Sequence, residues 1–437
     1  MPRRRDGEAV GPRGGGLRKR KKRIVIIGNS AAAVSALEAF RKRDRDSKVI
    51  VIDKEPSPAY SRVITPYYIL GGIKKEADLF LRTEDFYRAM EVTAHLGGEV
   101  HSIDIPSRTV TFGRGKTEPF DFLLIASGSS PYRPEVDGID PEKILVLRSL
   151  SDAKRLKEIR QQAYGVVFMG AGLVSLQTLQ SMYRPGRKYS LVVKSNHILS
   201  QTLDQDGSEI VERELRRMGV NIFKGRDIIG WKERNGKSCV LLDSGEEIET
   251  EYLFAGKGVR PNVDFLKDSG IEVRKGIPVN ERMETNVEGV YAAGDVAEAP
   301  DFFTGGNVSY GLWPSAVEQG EIAGKNMAGT QEAYPGNLKR NVTRIFAMPV
   351  VSIGDFGSKR IAETLVKKDD RRHIYRKICV DEKGVIIGAI LINQAEDAGV
   401  IQGLIRERKS ADFLKAGSRW RSSIGYGLVY KNIMLRL

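Results

Sequence analysis

The chain has 437 residues, 41% of them hydrophobic, and a formal net charge of +14 at pH 7. That length exceeds one compact core and predicts two or three domains, while no apolar run approaches the ~20 residues that cross a bilayer and no secretory signal is evident. Only two cysteines occur, Cys239 and Cys379, and the four histidines are scattered, which argues against a metal site. We therefore expect a cytoplasmic globular protein that makes no use of a membrane.

Residues 1–22 form the first predicted segment, a basic tail rich in Gly and Arg that we expect to be disordered. Residues 1–23 hold ten Lys and Arg and two acidic residues, so a charge of +8 belongs to this end and +6 to the rest of the chain. Such a tail either attracts nucleic acid or an acidic partner, or is a solvated extension. We favour the extension, which makes nucleic-acid binding the less favoured reading.

A strand–turn–helix–strand unit follows the tail. RIVIIG (23–28) is a buried strand, a helical pattern runs from Ala31 to about Arg43, and KVIVID (48–53) is a second strand. The turn reads Gly28, Ser30, Ala33 where the dinucleotide fingerprint has G-x-G-x-x-G, and Asp53 stands where a carboxylate accepts hydrogen bonds from a ribose. The small residues and the context predict a working nucleotide site with its phosphates at the helix N-terminus.

The same pattern recurs at YGVVFMGAG (164–172), where Gly170, Gly172 and Ser175 occupy the turn before a helix and the strand YSLVVK (189–194). A single glycine motif is weak evidence. Two motifs, each between a strand and a helix, predict two dinucleotides held by two similar domains.

Three more segments fit this scheme. The strand in FDFLLIASG (120–128) ends in Ser127-Gly128, where the backbone can approach a ligand, and TNVEGVYAAGDVAE (285–298) contains a strand that ends in Gly294-Asp295. A helix that begins near Trp313 brings free N–H groups and the positive end of its dipole to whatever lies before it.

From about Pro335, short β-like runs and a helical stretch near residues 395–408 predict a separate α+β domain. The predicted fold is α/β, with two Rossmann-like three-layer domains and a C-terminal α+β domain. We place the first domain at 23–138 and 262–334, the second at 139–261 and the third at 335–437.

In their order, these segments resemble the FAD- and NAD(P)-binding pyridine nucleotide-disulfide oxidoreductases. VIDKEPSPAYSRVITPYYILGG (51–72) and GVRPNVDFLKDSGIEV (258–273) are similar to the cysteine-free branch, which includes NADH:rubredoxin oxidoreductase and the flavin module of nitrite reductase. The disulfide-reducing members have a redox cysteine in the segment that corresponds to YSRVITPYY, and this chain has none there. Reduction of a disulfide substrate is therefore not expected.

The resemblance implies FAD in the first domain and NADH or NADPH in the second. Arg62 is implied to lie near the isoalloxazine ring and to tune it, as is Trp313 at the start of its helix. The residues implied to contact FAD are Gly28, Ser30, Ala31, Ala33, Asp53, Lys54, Arg62, Ser127, Gly128, Gly294, Asp295 and Trp313. Those implied to contact the nicotinamide nucleotide are Gly170, Gly172, Leu173, Val174, Gln177 and Lys194.

The sequence is compatible with three functions. The favoured one is an FAD-dependent NAD(P)H oxidoreductase whose chemistry resides on the cofactor, with electrons passing to a small acidic redox protein such as rubredoxin or ferredoxin. The alternatives are the FAD-containing electron-transfer subunit of a larger iron–sulfur complex with a weakened NAD(P)H site, and a redox-switched flavoprotein that binds nucleic acid through its tail. Lys194 could meet the 2′-phosphate of NADPH, but the choice of nucleotide stays open. The C-terminal domain could form a homodimer or cover another partner.

Overall fold

A computed structural model describes residues 21–234 and 236–415 of the chain. The predicted basic tail therefore lies almost wholly outside the described residues, as do residues 416–437 of the predicted C-terminal domain. Within the described ranges, no helix is long and apolar enough to cross a membrane. The same ranges contain no group of three or more His, Cys, Asp or Glu side chains arranged to hold a metal ion.

The first part of the chain contains three helices and eight strands. They are β1 (Arg23–Ile27), α1 (Ala31–Arg41), β2 (Lys48–Asp53), α2 (Thr65–Leu70), α3 (Glu84–Ala89), β3 (Val92–Leu96), β4 (Val100–Asp104), β5 (Thr109–Phe112), β6 (Lys116–Pro119), β7 (Phe122–Ile125) and β8 (Ser129–Pro131).

The second nucleotide unit and its surroundings follow. Its elements are β9 (Ile144–Leu145), α4 (Leu150–Gln162), β10 (Gly165–Met169), α5 (Leu173–Met182), β11 (Lys188–Val193), α6 (Gln205–Arg217), β12 (Val220–Lys224), β13 (Ile228–Arg234), β14 (Lys237–Leu242), β15 (Glu247–Glu249), β16 (Tyr252–Ala255) and β17 (Val259–Pro261).

The chain then returns to the first unit and ends in an antiparallel domain. The returning elements are β18 (Ile277–Pro278), β19 (Val290–Ala292), β20 (Ala297–Pro300), β21 (Asn307–Val308) and α7 (Trp313–Met327). The last elements are β22 (Arg340–Ile345), β23 (Met348–Gly354), β24 (Glu363–Asp369), β25 (Ile374–Val380), β26 (Ile386–Ile392), α8 (Ala398–Arg406) and α9 (Asp412–Lys415).

Two parallel five-stranded sheets confirm the predicted pair of Rossmann-like units. Their strand orders are β19-β7-β1-β2-β3 and β12-β11-β10-β16-β9. In each sheet the glycine turn follows the central strand, β1 or β10. The next strand in the chain pairs on one side of this central strand, and a later strand, β7 or β16, pairs on the other side. That is the switch point at which open α/β sheets bind ligands, outside the carboxyl ends of the strands.

Close packing of α7 on α1 joins the two halves of the first unit. A Cβ atom on Gly320 would lie 2.1 Å from the carbonyl oxygen of Ala32, and one on Gly324 would lie 2.2 Å from that of Ala36. The Ser35 hydroxyl also donates to the carbonyl of Val317 at 2.8 Å. Because only glycine allows this approach, these two positions fix α7 beside the helix of the first turn.

Helix α2 belongs to the first unit in sequence but packs on the second. Its Tyr68 and Ile69 share a buried core with Leu176 and Leu179 of α5. The predicted α+β domain is confirmed as a sheet of order β22-β23-β26-β25-β24, with α8 against one face. The other face contacts the second unit, where the Tyr375 hydroxyl donates to Asp204 at 2.7 Å. The exact domain boundaries stay a prediction.

Candidate functional site

A cavity of about 710 Å³ opens at the carboxyl ends of β1, β2 and β7. Its volume falls within the ~300–1,000 Å³ typical of small-molecule and cofactor sites. Seven residues predicted from the sequence line it: Gly28, Ser30, Asp53, Lys54, Arg62, Ser127 and Gly128. A second cavity, of about 660 Å³, lies at the amino ends of β10 and β16, around Tyr164 and Gly165. It contains none of the predicted residues.

The turn after β1 explains why its first glycine is required and its second is not. Gly28 has φ +108°, and a Cβ atom there would lie 2.2 Å from the carbonyl oxygen of Ala126. Ser30 has extended backbone at the N-cap of α1, and its side chain makes no capping bond. The N–H groups of the first helical turn are therefore not capped by this side chain and can meet an anion.

Asn29, which was not predicted, is a buried polar residue on the cavity wall. The Tyr87 hydroxyl accepts from the backbone N–H of Ala59 at 3.0 Å and donates to the Asn29 Oδ1 at 2.8 Å. The Asn29 Nδ2 is buried without a hydrogen-bond partner among the described residues. A buried donor without a partner is costly, so this atom fits a ligand that brings an acceptor into the cavity.

The end of β2 places two acidic side chains and one arginine beside each other. Burial raises the pKa of Asp53, whose Oδ1 accepts from the backbone N–H of Glu55 at 2.7 Å. Arg62 forms an ion pair with Glu55 at 2.6 Å and donates to the carbonyl of Arg148 at 2.5 Å. Arg62 is therefore held firmly at the cavity wall by its neighbours.

Arg148 is a second cavity residue that was not predicted. Its guanidinium pairs with Asp295 Oδ2 at 2.9 Å, and the Ser129 hydroxyl donates to the same oxygen at 2.8 Å. Asp295 does not itself line the cavity, but this ion pair connects it to a residue that does. Arg148 follows β9 and is far in sequence from both Arg62 and Asp295, so no local pattern indicated it.

The remaining residues predicted for the first site lie behind the turn or at the start of α7. Ala31 and Ala33 are buried in the core of the first unit. A Cβ atom on Gly294 would lie 3.4 Å from the Ala32 Cβ, so this glycine sits against α1. Trp313 is the first residue of α7, as predicted, and its partly buried ring packs on the same core.

The turn after β10 repeats the geometry of the first turn but is more open. Gly170 has φ +97°, and a Cβ atom on it would lie 2.6 Å from the carbonyl oxygen of Gly256. Gly172 is the N-cap of α5 and has no atom within 4 Å of a Cβ position. Leu173 is partly buried, and Val174 is 48% exposed.

Ser175 occupies the place of the third fingerprint glycine and is fully buried. The close contact is preserved because glycine stands on the other side: a Cβ atom on Gly256 would lie 1.8 Å from the Ser175 hydroxyl. Helix and strand therefore approach each other closely even though the motif has lost its last glycine.

Gln177 and Lys194, the other two residues predicted for the second site, both have protein partners. The Gln177 amide donates to the Thr343 hydroxyl of β22 at 2.9 Å, which links α5 to the C-terminal domain. Lys194 pairs with Asp227 at 2.7 Å, and Lys257 pairs with the same carboxylate at 2.8 Å. One carboxylate and two ammonium groups leave a net positive charge near the end of β11.

Comparison with known proteins places this geometry in a family. Residues 22–320 match the model of the pyridine nucleotide-disulphide oxidoreductases. The chain belongs to the pyridine nucleotide-disulphide oxidoreductase family. Residues 341–409 of this oxidoreductase match the C-terminal domain model of rubredoxin NAD⁺ reductase. The cofactors of the family are FAD and NADH or NADPH, so the chain is an NAD(P)H-dependent flavoprotein oxidoreductase.

Three individual proteins illustrate the similarity of this oxidoreductase to its relatives. Subunit epsilon of the NADH-dependent phenylglyoxylate dehydrogenase of Aromatoleum evansii is 29% identical, over 88% of this chain and 92% of its own. The assimilatory nitrate reductase electron transfer subunit of Bacillus subtilis is 26% identical over 89% of this chain, which spans only 50% of that subunit. The NADH:rubredoxin oxidoreductase structure from Clostridium acetobutylicum is 25% identical, with a TM-score of 0.74 over 90% of this chain and 97% of that one.

Neither cysteine of this oxidoreductase lines the cavity. Cys379 is fully buried in β25, and burial raises the pKa of its thiol to about 12. Cys239 lies on β14 of the second unit. The residues around Arg62, from Tyr60 to Tyr68, contain no cysteine. The family name includes disulphide chemistry, but this chain has no thiol beside the cavity.

Proposed function

We propose that the chain oxidises NADH or NADPH at its FAD and passes the electrons to a small one-electron redox protein such as rubredoxin or ferredoxin. The observation that carries this proposal is the cavity wall around Arg62, where the chain has a polar site for FAD but no thiol that could relay electrons to a disulphide. The match of residues 341–409 to the rubredoxin reductase C-terminal domain supports the same class of acceptor.

The first turn would hold the pyrophosphate of FAD. The backbone N–H groups in the first turn of α1 lie at the end of the helix where its dipole is positive. Gly28 keeps the chain close to the residue that follows β7. The Nδ2 of Asn29 would supply a further donor, and this would satisfy the one buried amide group that has no protein partner there. Asp53 would accept hydrogen bonds from the adenosine ribose.

The ion pair of Arg148 and Asp295 would hold the middle of the cofactor. Asp295 uses Oδ2 for Ser129 and Arg148, and among the described residues nothing donates to its Oδ1. That oxygen would accept a ribityl hydroxyl, while the guanidinium offers charge to a phosphate. Trp313 begins α7, whose N-terminal N–H groups would stabilise negative charge on the ring.

The second turn would bind the nicotinamide nucleotide. Gly172 leaves open space in front of the first turn of α5, so a pyrophosphate could approach those N–H groups. Lys194 and Lys257 both pair with Asp227 near the end of β11. The net positive charge of these three groups would attract the additional phosphate of NADPH. Gln177 would face the nicotinamide from its fixed position against Thr343.

When bound, FAD would supply hydride and single-electron chemistry: it would take a hydride from NAD(P)H to give NAD(P)⁺, pass two electrons to two one-electron acceptors in turn, and release the proton to solvent. The protein residues then need only bind, orient and shield the cofactors. That requirement agrees with a cavity whose lining, among the described residues, contains no cysteine.

An anaerobic titration tests the proposal. The visible flavin spectrum of the purified holoprotein is recorded before and after one equivalent of NADH, and separately of NADPH. We expect at least one nucleotide to bleach it, and a following addition of oxidised rubredoxin to restore it with two rubredoxins reduced per NAD(P)H. A flavin that stays oxidised with both nucleotides would contradict the first half, and one that reduces dyes but neither rubredoxin nor ferredoxin would contradict the second.

A second candidate is that the same chain is the flavin subunit of a larger oxidoreductase complex. It is favoured by the nearly full-length match to a protein that is named as a subunit, subunit epsilon of the phenylglyoxylate dehydrogenase. Gentle affinity purification at native expression levels, followed by mass spectrometry and iron analysis, distinguishes the two. A stoichiometric iron-containing partner would favour the subunit, and a chain that purifies alone and reduces rubredoxin would favour the independent reductase.

A further inference from the structure

Four large apolar side chains form an exposed patch where the three domains meet. Val63, Tyr67, Leu70 and Val342 are 52%, 51%, 40% and 69% exposed, respectively. They line a shallow groove of about 110 Å³ between α2, α5 and β22. We refer to these four residues as the apolar patch. Contiguous exposed apolar surface of this kind commonly marks an interaction site in a soluble protein.

The apolar patch lies directly beside the FAD cavity. Arg62 lines the cavity, and the next residue, Val63, lines the groove. Gln177, which follows the second nucleotide turn, also lines the groove. A protein bound to this patch would therefore sit next to both nucleotide sites, which is where an electron acceptor has to dock.

One basic residue lines the groove, and two more follow α2 shortly after the last patch residue of that helix. Arg344 lines the groove and shares the exposed face of β22 with Val342. Lys74 and Lys75 follow α2, where the chain folds back and Ile73 donates its N–H to the carbonyl of Tyr67 at 3.2 Å. Within residues 21–234 and 236–415, none of these three cations has an ion pair. The next carboxylate along the chain, Glu76, pairs with Lys154 at 2.7 Å.

We propose that the apolar patch and its basic rim, Lys74, Lys75 and Arg344, form the docking surface for an acidic one-electron carrier protein. This inference rests on the proposed function and specifies the surface that its acceptor uses. An apolar centre inside a charged rim is the usual composition of a transient protein interface. The rim accelerates encounter with a partner of opposite charge, while the centre contributes affinity after water is displaced.

Charge argues against two other occupants of this surface, a second copy of the chain and the chain's own C-terminal segment 416–437. A symmetric dimer through the patch would bring two copies of the basic rim together, which repel each other. The C-terminal segment 416–437 contains Arg419, Arg421, Lys431 and Arg436 and no acidic residue, so the same repulsion opposes its binding there. An acidic external partner is the occupant that the rim attracts.

Charge reversal tests the rim. The triple variant Lys74→Glu, Lys75→Glu, Arg344→Glu is compared with a control triple, Arg114→Glu, Lys275→Glu, Lys383→Glu, which changes three exposed residues elsewhere. The dissociation constant of oxidised rubredoxin is measured by calorimetry at low and at physiological salt. We expect the rim variant to weaken binding at least tenfold at low salt and the control to change it less than threefold. Equal effects of the two triples would overturn the proposal.

Reduction of a small dye by NAD(P)H separates this inference from the proposed function. All variants should reduce the dye at the rate of the parent protein because none of the altered residues lines the FAD cavity. If the parent protein reduces no dye with either nucleotide, the proposed function fails. If the dye is reduced but the rim variant binds rubredoxin as tightly as the control does, only the proposal of the docking surface is wrong.

A photo-crosslinking amino acid in place of Val342 identifies the occupant directly. With rubredoxin present, we expect the crosslinked product to contain rubredoxin. A crosslink to a second copy of the chain or to residues 416–437 would overturn the proposal. Val342→Ser should weaken rubredoxin binding severalfold, whereas Val366→Ser on the exposed edge strand β24 serves as the matched control and should not.

Discussion

The two strand–turn–helix units have the same backbone pattern but different surroundings. Gly28 and Gly170 both have positive φ and both approach a neighbouring carbonyl oxygen too closely for any side chain. Beyond the turn, the first unit has a polar cavity lined by partly buried Asp53 and buried Asn29. The second unit has the open N-cap Gly172 and an ion pair between exposed Lys194 and partly buried Asp227.

This difference agrees with two kinds of ligand. A cofactor that stays bound gains from buried donors and acceptors, because each one left unsatisfied would be costly. A nucleotide that must enter and leave in every turnover gains from an open surface and from charge that acts at a distance. The same fold can therefore provide a permanent site and an exchangeable site by changing the residues around the turn, without changing the turn itself.

The largest expected effect comes from alanine at the first turn. Gly28→Ala would place a Cβ atom 2.2 Å from the Ala126 carbonyl oxygen in a backbone conformation that alanine avoids. We expect it to lower the free energy of unfolding by about 3 kcal/mol or more, with loss of bound FAD. Urea unfolding and the FAD content after purification measure both effects.

The matched substitution at the second turn is Gly172→Ala. This glycine has φ −78° and open space around the Cβ position, so we expect the free energy of unfolding to change by less than about 1 kcal/mol. The added methyl group should instead raise the KM for the nicotinamide nucleotide. A large loss of stability here, or a stable Gly28→Ala protein with full FAD content, would contradict the distinction between a closed and an open turn.

The next effect concerns retention of FAD. Asp53→Ala removes the carboxylate proposed to bind the ribose, and Asn29→Ala removes the donor that has no protein partner. At about 1.5–3 kcal/mol for a hydrogen bond to a charged group, we expect Asp53→Ala to weaken FAD binding by roughly tenfold to a hundredfold. Asn29→Ala should weaken it by about tenfold. Fluorescence titration of the FAD-free proteins measures the dissociation constants.

Unchanged FAD affinity in both variants would contradict this assignment. Asp227→Ala is the control, because this carboxylate belongs to the second unit and contacts Lys194 and Lys257 instead of the cavity. Asp227→Ala should leave FAD affinity within about twofold of the parent value, since the two ion pairs that it removes lie outside the cavity.

These two sites also show what the sequence could reveal. The turn residues and Asp53 were predictable because one continuous βαβ segment determines their positions. Arg148 was not, since its approach to Asp295 depends on how the connection after β9 crosses to the first unit. The partner of Lys194 was not predictable either, because Asp227 is brought close to Lys194 by the pairing of β11 with β12.

Packing between domains explains the other omissions. The sequence indicated a helix at Trp313 but not that Gly320 and Gly324 would let it contact the backbone of α1. It also gave no sign that α2 would leave its own domain's core and join that of α5. Such contacts depend on shape complementarity between distant segments, which periodicity in one sequence does not encode.

A smaller effect is expected on the choice of nucleotide. Lys194→Ala removes one of the two cations beside Asp227. We expect kcat/KM for NADPH to fall by about three- to fivefold while that for NADH changes less than twofold, since an exposed charge interacts only weakly in water. Steady-state kinetics with a dye acceptor provide the comparison. An equal decrease for both nucleotides would show that Lys194 does not recognise the 2′-phosphate.

The smallest effect is a pH dependence of opposite sign in the two units. Burial raises the pKa of Asp53 above its ordinary 3.8, so the folded FAD-free protein binds more protons there than the unfolded chain, and stability falls as pH rises through the folded pKa. Burial would also raise the pKa of Asp227, but hydrogen bonds from Lys194 and Lys257 outweigh it and lower that pKa. Its stabilisation is present above pH 3.8 and is lost as pH falls through the folded pKa.

Asp→Asn substitutions make this opposition measurable. In the FAD-free protein at pH 7, Asp53→Asn should raise the free energy of unfolding because it removes a buried charge, whereas Asp227→Asn should lower it because it removes a partner of two lysines. The Asp53 difference should shrink as the pH falls to 4, whereas the Asp227 difference should persist at pH 4 because that pKa is lowered below 3.8. Urea unfolding at pH 7 and pH 4 measures them. If both substitutions lowered the free energy of unfolding at pH 7, the Asp53 carboxylate would already be stabilised in the FAD-free protein. Its burial would then give no electrostatic contribution to the binding of the cofactor.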